Sequence, residues 1–420
     1  MSNFEKNNVR IQYNTMSDVS QFSYKMHALE CKINRVILKI IGLWPYQQSY
    51  FARIQKIFCI SILSSITLVQ LFVFITTQYS TNLLFKILSL VLPTLFVIVL
   101  YCIFIIRADT MKQMIEHYRE NWKMLKDKLE IGIIEEYSYI ARYCTLFLFG
   151  LCCFGIIIYI TLQVLPPILD IVFPLNESRC RRPIIVTEYF VNQEKYIYVI
   201  LLHYILALLI AGLVCCSVSM TMLTYLLQTC ALLTIASYRI ENAIGRNILA
   251  ISSPTREYLL FQKMVHAITI HQRAIEFTKF FTSEFMTFLA ILIVIGVSSL
   301  SLNLLQFLRM IKMNTNDIME IIIVIIIIII HLIYMFMANY AGQIIINHGI
   351  KMFKATYNGM WYAAPLHTQK LFLFIMQKVM ANLSLGYGNV FIASLEGFAT
   401  LANMALSYLT VIYSTTVSRK

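Results

Sequence analysis

The chain has 420 residues, of which 59% are hydrophobic and only 13% charged, too few polar groups to cover a water-facing surface. A soluble globular protein is therefore excluded. The formal net charge of +13, from 34 Lys and Arg against 21 Asp and Glu, is spread between apolar runs, which favours lipid head groups and membrane topology over nucleic acid.

The segment ahead of the first apolar run, residues 1–56, is polar and basic and has no apolar core near its start. No cleavable signal peptide is expected, and the first run acts as the insertion signal. Seven runs then follow: Ile57–Thr77, Leu83–Ile106, Tyr143–Leu165, Tyr196–Leu227, Phe285–Leu308, Ile318–Met337 and Val390–Tyr413. A spanning helix needs about 20 apolar residues to cross ~30 Å of hydrocarbon. Lipid leaves no partner for free backbone groups, so each run is expected to be a helix. That holds even for span 6, whose isoleucine-rich stretch from Ile321 to Ile330 would favour a strand in water.

The connections carry their own signals. Arg107–Glu136 reads as helical, with charged residues such as Glu116, Glu120, Lys123 and Lys126 along a solvated face. In the long loop Pro166–Lys195, the prolines at 166, 167, 174 and 183 are expected to break any helix. Between spans 4 and 5 the only breaker is Pro254. Both helices are expected to project beyond the membrane, to about Ala250 and from about Arg256, where neighbouring subunits can meet in water. Spans 1–6 occupy 57–352, a short loop 353–365, and 366–420 form a split seventh span. Its halves are Leu366–Met380 and Val390–Tyr413, separated at Asn382–Gly388, where Gly386 and Gly388 permit a break. The expected fold is an all-α membrane protein, one seven-helix domain over 1–420.

Charge sets the orientation. Of the 34 Lys and Arg, 25 fall on the side of the N-terminus and nine on the other. Positive residues stay in the cytoplasm, so the topology is inverted, with the N-terminus inside and the C-terminus outside. Asn176 lies in an Asn-Glu-Ser glycosylation sequon on the predicted outer side. Cys31 is on the inner side, Cys180 alone is outside, and the other cysteines lie in or at the ends of spans. No extracellular disulfide within one chain is available.

Motifs for chemistry are absent: there is no HExxH, Walker loop, GxSxG or CxxC. No enzyme activity, cofactor or metal site is expected. His203 and His331, in spans 4 and 6, suit either helix–helix hydrogen bonds or ligand contacts. Glu284 and Glu396 lie in or near spans 5 and 7. Glu396 suits an ion path or a structural hydrogen bond equally. In the last helix Ser407, Val411 and Ser414 or Thr415 recur at helical spacing, mixing small polar groups with one apolar position. Such a stripe suits helix packing or a pore lining.

The last 60 residues carry a more specific pattern. Trp361-Tyr362, Gln369-Lys370-Leu371, Phe374-Ile-Met-Gln377, Ser394-Leu-Glu396 with Phe391 and Phe398, and Ser407-Tyr408 occur in order. This closely resembles the C-terminal signature of insect odorant receptors. The wording Tyr357-Asn-Gly-Met-Trp-Tyr-Ala-Ala-Pro-Leu366 resembles a large hymenopteran branch. Length, seven spans and inverted topology agree with that family, less specifically.

The resemblance implies an odorant-gated, non-selective cation channel in the plasma membrane of olfactory neuron dendrites. It implies a heterotetramer with a shared odorant receptor co-receptor, membrane lipid around it, and the last helix of each subunit lining the pore. The long insertion that the co-receptor carries between spans 4 and 5 is missing here, which points to the odorant-specific subunit. Related gustatory receptors end in Gln-Phe where this chain has Ser414 and Thr415. A G-protein-coupled receptor would need the opposite orientation and usually a proline in span 7, whereas the last proline is Pro365. A transporter would show broken helices in two related halves.

By the same resemblance, Val411 stands at the gate, Ser407 and Thr415 line the pore with it, and a ring of Val411 makes a constriction that gates by dewetting. Thr415 departs from the second apolar gate residue of the co-receptor. The family's ligand sits in the outer half of the bundle. Here that region offers Leu88 and Leu92 on span 2, and Cys152, Ile156 and Tyr159 on span 3. Span 4 adds Tyr198, Leu202, His203 and Ile205, and span 6 adds Ile326, Ile327, Ile330 and Tyr334. The wall suits a small apolar odorant, volatile or hydrocarbon-like. Burying ~300 Å² of ligand gives about 7 kcal/mol gross, which after association costs implies micromolar or weaker binding. His203, Tyr159 and Tyr334 are the candidate polar contacts.

The orientation is directly testable. An epitope tag fused to Lys420 is expected to stain on intact cells. Staining only after permeabilisation would reverse the topology.

Overall fold

The structure is a computed structural model that describes residues 32–125, 127–172, 185–244, 253–312, 318–387 and 391–417. Asn176, Cys31 and Cys180 lie outside these residues. Among the described residues seven helices are long and apolar enough to cross a membrane: Tyr50–Thr76, Thr81–Ile106, Lys128–Leu165, Ile197–Glu241, Thr255–Lys312, Ile318–Asn358 and Leu395–Thr415. They are called spans 1 to 7. The end of the bundle that charge assigns to the cytoplasm is called inner.

Caps and breaks follow local chemistry. Ser49 Oγ accepts from the Ala52 amide at 3.3 Å and starts span 1; Ser80 Oγ does the same for Leu83 at 3.1 Å and starts span 2. Span 2 contains Pro93. Proline has no amide hydrogen, so the carbonyl of Ser89, one turn earlier, loses its helical donor. Asn303 of span 5, fully buried, supplies the missing bond through Nδ2 at 3.0 Å and also donates to Ser299 O at 2.9 Å. A proline on one span is thus matched by an amide on another.

Several boundaries differ from the sequence expectations. Span 5 belongs to a single helix, Ser253–Lys312, of 60 residues, about 90 Å long and three times the hydrocarbon thickness. Pro254 lies inside its first turn, where the missing N–H would have been unpaired anyway, so it starts the helix and does not break it. Span 4 ends at Glu241, short of Ala250. The prolines at 166 and 167 do not end span 3, whose helix continues to Val172. Near a membrane surface freed carbonyls find water, which lowers the cost of a proline there. The expected helix over Arg107–Glu136 is two: an amphipathic helix, Ala108–Lys123, then a short break, then helix again from Lys128, where the helix of span 3 begins. The amphipathic helix is not solvated all round, since Met111, Met114, Ile115, Tyr118 and Trp122 are buried. In span 7 the inner half-helix is Leu366–Asn382 and the outer one Leu395–Val417. Between them β1 (Gly386–Tyr387) pairs antiparallel with β2 (Phe391–Ile392), in a stretch expected to be partly helical. Ser394 Oγ accepts from Gly397 N at 3.0 Å and sets the later helix start.

The main core sits at the inner end. Tyr101, Met114, Trp122, Leu232, Ile235, Leu260, Phe285, Phe372 and Ile375 meet there, drawn from spans 2, 4 and 5, the amphipathic helix and the inner half-helix. It is clamped by ion pairs. Arg239 grips Glu130 through Nε to Oε1 at 2.6 Å and Nη2 to Oε2 at 2.9 Å, while Nη1 donates to His266 O at 2.9 Å. This ties spans 3, 4 and 5. Arg107 pairs with Glu284 at 2.8 Å, which makes Glu284 a structural counter-ion. Within the membrane packing is looser: only 11% of the most apolar stretch of spans 3 and 6 is buried.

The proline–amide match predicts a rescue. Asn303→Leu strands the Ser89 carbonyl and is expected to cost about 1–3 kcal/mol, read as a lower unfolding temperature of the detergent-solubilised protein. Adding Pro93→Ala restores an amide for that carbonyl and is expected to recover part of the loss. A double variant no more stable than Asn303→Leu alone would refute the match.

Candidate functional site

The outer half holds a small aromatic cluster. Tyr159 of span 3 and Tyr204 of span 4 stack at 5.5 Å with an interplanar angle of 25°. Ile66 of span 1, Ala207 of span 4, Ile323 of span 6 and Ile185 of the outer loop complete its buried part, with Ile205 and Ile327 packed against it. Polar groups reach the rings from two sides. Gln70 Nε2 donates to Tyr204 Oη at 3.3 Å, and Gln163 Nε2 to Tyr159 Oη at 3.4 Å. Gln70 is 1% exposed, and its Oε1 is buried with no hydrogen-bond partner among the described residues. A cavity of about 10 Å³ lies between Tyr159, Gln163, Ile197, Ile200, Leu201 and Tyr204. It is the size of one water, so any larger ligand must displace side chains.

The loop closes over this cluster. Glu188 N donates to Val69 O at 2.9 Å, Gln193 Nε2 to Thr187 O at 2.8 Å, and Phe190 packs on Phe72 at 5.4 Å. Tyr189 Oη lies 2.8 Å from His203 Nδ1, and His203 Nε2 lies 2.9 Å from Ser65 Oγ. Burial pushes the Tyr189 phenol up to about 12, so it stays a donor at neutral pH. A consistent proton order follows: Tyr189 donates to Nδ1, Nε2–H donates to Ser65, and Ser65 donates to Ile62 O at 2.9 Å. His203 is thus a protein–protein node between spans 1 and 4 and the loop. His331 bonds similarly, with Ser299 Oγ at 2.9 Å from Nε2 and Ile327 O at 2.8 Å from Nδ1.

The sequence-derived wall does not converge on one place. Tyr159, Ile205 and Ile327 meet in the cluster just described. Leu88 and Leu92 instead pack toward Leu302, Leu305 and Leu409, beside the last helix. Cys152 and Ile156 lie where spans 3 and 4 cross over Gly212; a Cβ there would fall 2.2 Å from Cys152 Sγ. Tyr334 stands edge-on to Phe96 at 5.3 Å, and Ile326 is half-buried. Tyr198, Leu202 and Ile330 are exposed at 72%, 66% and 54%, on the outside of this chain. Sequence reasoning passed over Tyr204, Gln70 and Gln163. Each glutamine is the single carboxamide of its apolar run, and an amide placed in lipid is costly enough to have marked both positions.

The last helix has two faces. Leu401, Ala405 and Leu409 are buried at helical spacing against span 5, where Ser301 Oγ donates to Ala405 O at 3.0 Å. Ile412 packs with Leu302, Leu305 and Leu409. The rest of the circumference is exposed: Asn403, Ser407, Thr410, Val411, Ser414 and Thr415, together with the bulky Met404, Leu406 and Tyr408, with Val411 58% exposed. The hydroxyls bond to carbonyls of their own helix, such as Ser407 to Asn403 O at 2.9 Å and Thr415 to Ile412 O at 2.9 Å. Glu396 is exposed in the first turn.

This architecture is shared with known proteins. The fold matches the insect olfactory receptor OR5 from Machilis hrabei in complex with eugenol. The TM-score is 0.74 at 14% identity, over 92% of this chain and 97% of that one. A second structure of the same receptor matches with a TM-score of 0.73 at 14% identity, over 93% and 98%. No curated protein sequence matches the chain. The family model described as 7tm Odorant receptor matches residues 80–406, from the start of span 2 into the last helix. With that match over most of its length and with its seven spans, the chain belongs to the 7tm odorant receptor family.

Proposed function

We propose that the chain is the odorant-binding subunit of a ligand-gated, non-selective cation channel in the plasma membrane. Its partner is the family's co-receptor in a heterotetramer, with the N-terminus in the cytoplasm. The observation that carries the channel reading is the exposed face of the last helix. Asn403 and Glu396 point away from the rest of the chain, and an amide or carboxylate facing lipid is costly. A water-filled axis shared by four subunits removes that cost. Ser407, Thr410 and Ser414 then make a weakly polar lining, Val411 is the apolar ring toward its outer end, with Met404 two turns farther in, and Glu396 places negative charge at the inner mouth, the sign that favours cations. Thr415 lies one turn beyond the gate.

The ligand reading rests on the Tyr159–Tyr204 cluster. Its walls are aromatic and aliphatic, its polar groups are two phenols and two glutamine amides, and Gln70 Oε1 has an unfilled acceptor position. This suits a small, mostly apolar volatile with at most one hydrogen-bond donor. That the related OR5 is known in complex with eugenol supports the size and class. Because the cavity admits only a water, binding must part spans 3 and 4, and this links occupancy to movement.

Two outcomes test these assignments. Tyr159→Leu is expected to shift the activating concentration of the best compound among alcohols, esters and eugenol by about tenfold, or ~1.4 kcal/mol. Leu202→Trp, on the exposed side of span 4, is expected to leave tuning unchanged. Equal tuning in both variants would move the site elsewhere. At the gate, Val411→Ser removes apolar bulk and offers a hydroxyl to water, so ligand-independent cation current is expected to rise. Ile412→Ser, one position away and packed on span 5, is expected to reduce surface expression without a leak. A leak of the same size from both would remove Val411 from the pore axis.

A further inference from the structure

Span 6 serves both ends of this scheme. Toward its outer end Ile323 and Ile327 pack in the aromatic cluster. Farther in, the same unbroken helix, Ile318–Asn358, bears the break in span 7. Gly342 and Gly349 lie about two turns apart on one face, and each meets one side of that break. A Cβ on Gly349 would sit 3.3 Å from Leu383 Cδ1, at the end of the inner half-helix. A Cβ on Gly342 would fall 2.2 Å from the Ala393 carbonyl oxygen and 2.6 Å from Ala393 Cβ, just ahead of the last helix. The β1–β2 hairpin is closed by Ala393 N to Leu385 O at 2.8 Å. Its two ends therefore rest in a groove that only missing side chains allow.

Polar contacts fasten the same place. The first amides of a helix have no partner within it. Gln343 Oε1 accepts one of them, Leu395 N, at 3.2 Å, while its own Nε2 is held by Asn347 Oδ1 at 3.0 Å. One turn outward, Asn339 is 3% exposed and lies beside Gly397, where a Cβ would stand 3.0 Å from Asn339 Oδ1. That Oδ1 is buried with no hydrogen-bond partner. Phe336 meets Phe398 edge-on at 5.5 Å.

We propose that Gly342 and Gln343 are positioning residues that fasten the inner end of the last helix to span 6, so that movement of span 6 in the outer cluster displaces the gate. This rests on the ligand-gated channel reading above and adds the route of its regulation. A backbone-to-backbone seat transmits a small shift because no side chain lies between the two elements to repack and absorb it. Asn339 Oδ1 offers an acceptor beside the helix start that such a shift can fill.

The test is whole-cell current from cells that express the chain with its co-receptor, using the strongest activator among alcohols, esters and eugenol. Gln343→Ala is expected to raise the half-activating concentration at least tenfold and to lower the maximum current. The reversal potential and surface staining should not change. Gln343→Glu keeps an oxygen for the Leu395 amide, and Asn347 can turn its Nδ2 toward the other carboxylate oxygen, so this variant is expected to keep most of the wild-type activation. Gln343→Ala combined with Val411→Ser is expected to retain the ligand-independent current, which shows that the pore still forms. Wild-type activation by Gln343→Ala would overturn the joint while leaving the channel reading intact. So would loss of the Val411→Ser current in the double variant, because Gln343 would then merely hold the pore together. A wild-type protein silent to every compound, together with a Val411→Ser variant that reaches the surface and carries no ligand-independent current, would defeat the channel reading, and the joint with it.

Discussion

Apolar burial drives packing only where there is water to leave. Inside hydrocarbon, lipid tails solvate an isoleucine as well as a neighbouring helix does, so spans there gain little by close association. That single constraint divides this molecule. Where spans 4, 5 and 6 run on past the membrane, the hydrophobic effect returns, and Trp122, Leu232, Leu260, Phe285 and Phe372 build a core with the amphipathic helix laid across it. Within the membrane, spans 3 and 6 stay largely uncovered. The long inner helices therefore carry the main core, and the outer half packs more loosely.

In the loose half the specific contacts are polar. An unpaired amide or carbonyl in lipid costs more than in water, so such groups tend to fix a partner. Pro93 frees a carbonyl and Asn303 takes it. His203 joins span 1, span 4 and the outer loop in one proton chain, and His331 joins spans 5 and 6. These bonds set which helices are neighbours without filling the space between them. At the inner end Tyr137 plays a comparable part, bonding to both Thr234 of span 4 and His348 of span 6. The pairing is not complete: Gln70, Asn303 and Asn339 each have the amide nitrogen bonded and the oxygen left over, and in Gln70 that nitrogen is held by Tyr204 of the aromatic cluster.

The seventh span breaks the pattern of the others. Its buried stripe, Leu401, Ala405 and Leu409, is narrow, and more of its circumference faces outward than inward. Lipid can cover Met404, Leu406 and Tyr408 on that outward part but not Asn403 or Glu396 without cost. The pore proposed above would give those polar groups water. The hairpin ahead of it gives the helix its own starting point, separate from the half-helix Leu366–Asn382 docked in the inner core.

Much was legible before any coordinates. Seven apolar runs marked the spans because bilayer thickness imposes a length on them. The charge asymmetry assigned an orientation, and the terminal motifs pointed to the family that the comparisons then showed. The break in span 7 was visible in Gly386 and Gly388. Helix ends were less legible: Pro254 and the prolines at 166 and 167 looked like breakers, yet their effect depends on position within a helix and on access to water, which composition does not reveal. The candidate ligand wall was legible only as a composition. Whether Leu202 or Tyr204, two residues apart on one helix, faces the cluster depends on how span 4 is rotated against spans 1 and 3. A helix that is apolar all round carries no periodic signal to set that rotation. Residue chemistry alone determined that the chain spans the membrane and to which family its ending belongs. Only the tertiary structure decided which tyrosines stack, which glutamine keeps an unpaired oxygen and which glycines seat the last helix, because in lipid those facings are set by neighbouring helices and not by the pull of water.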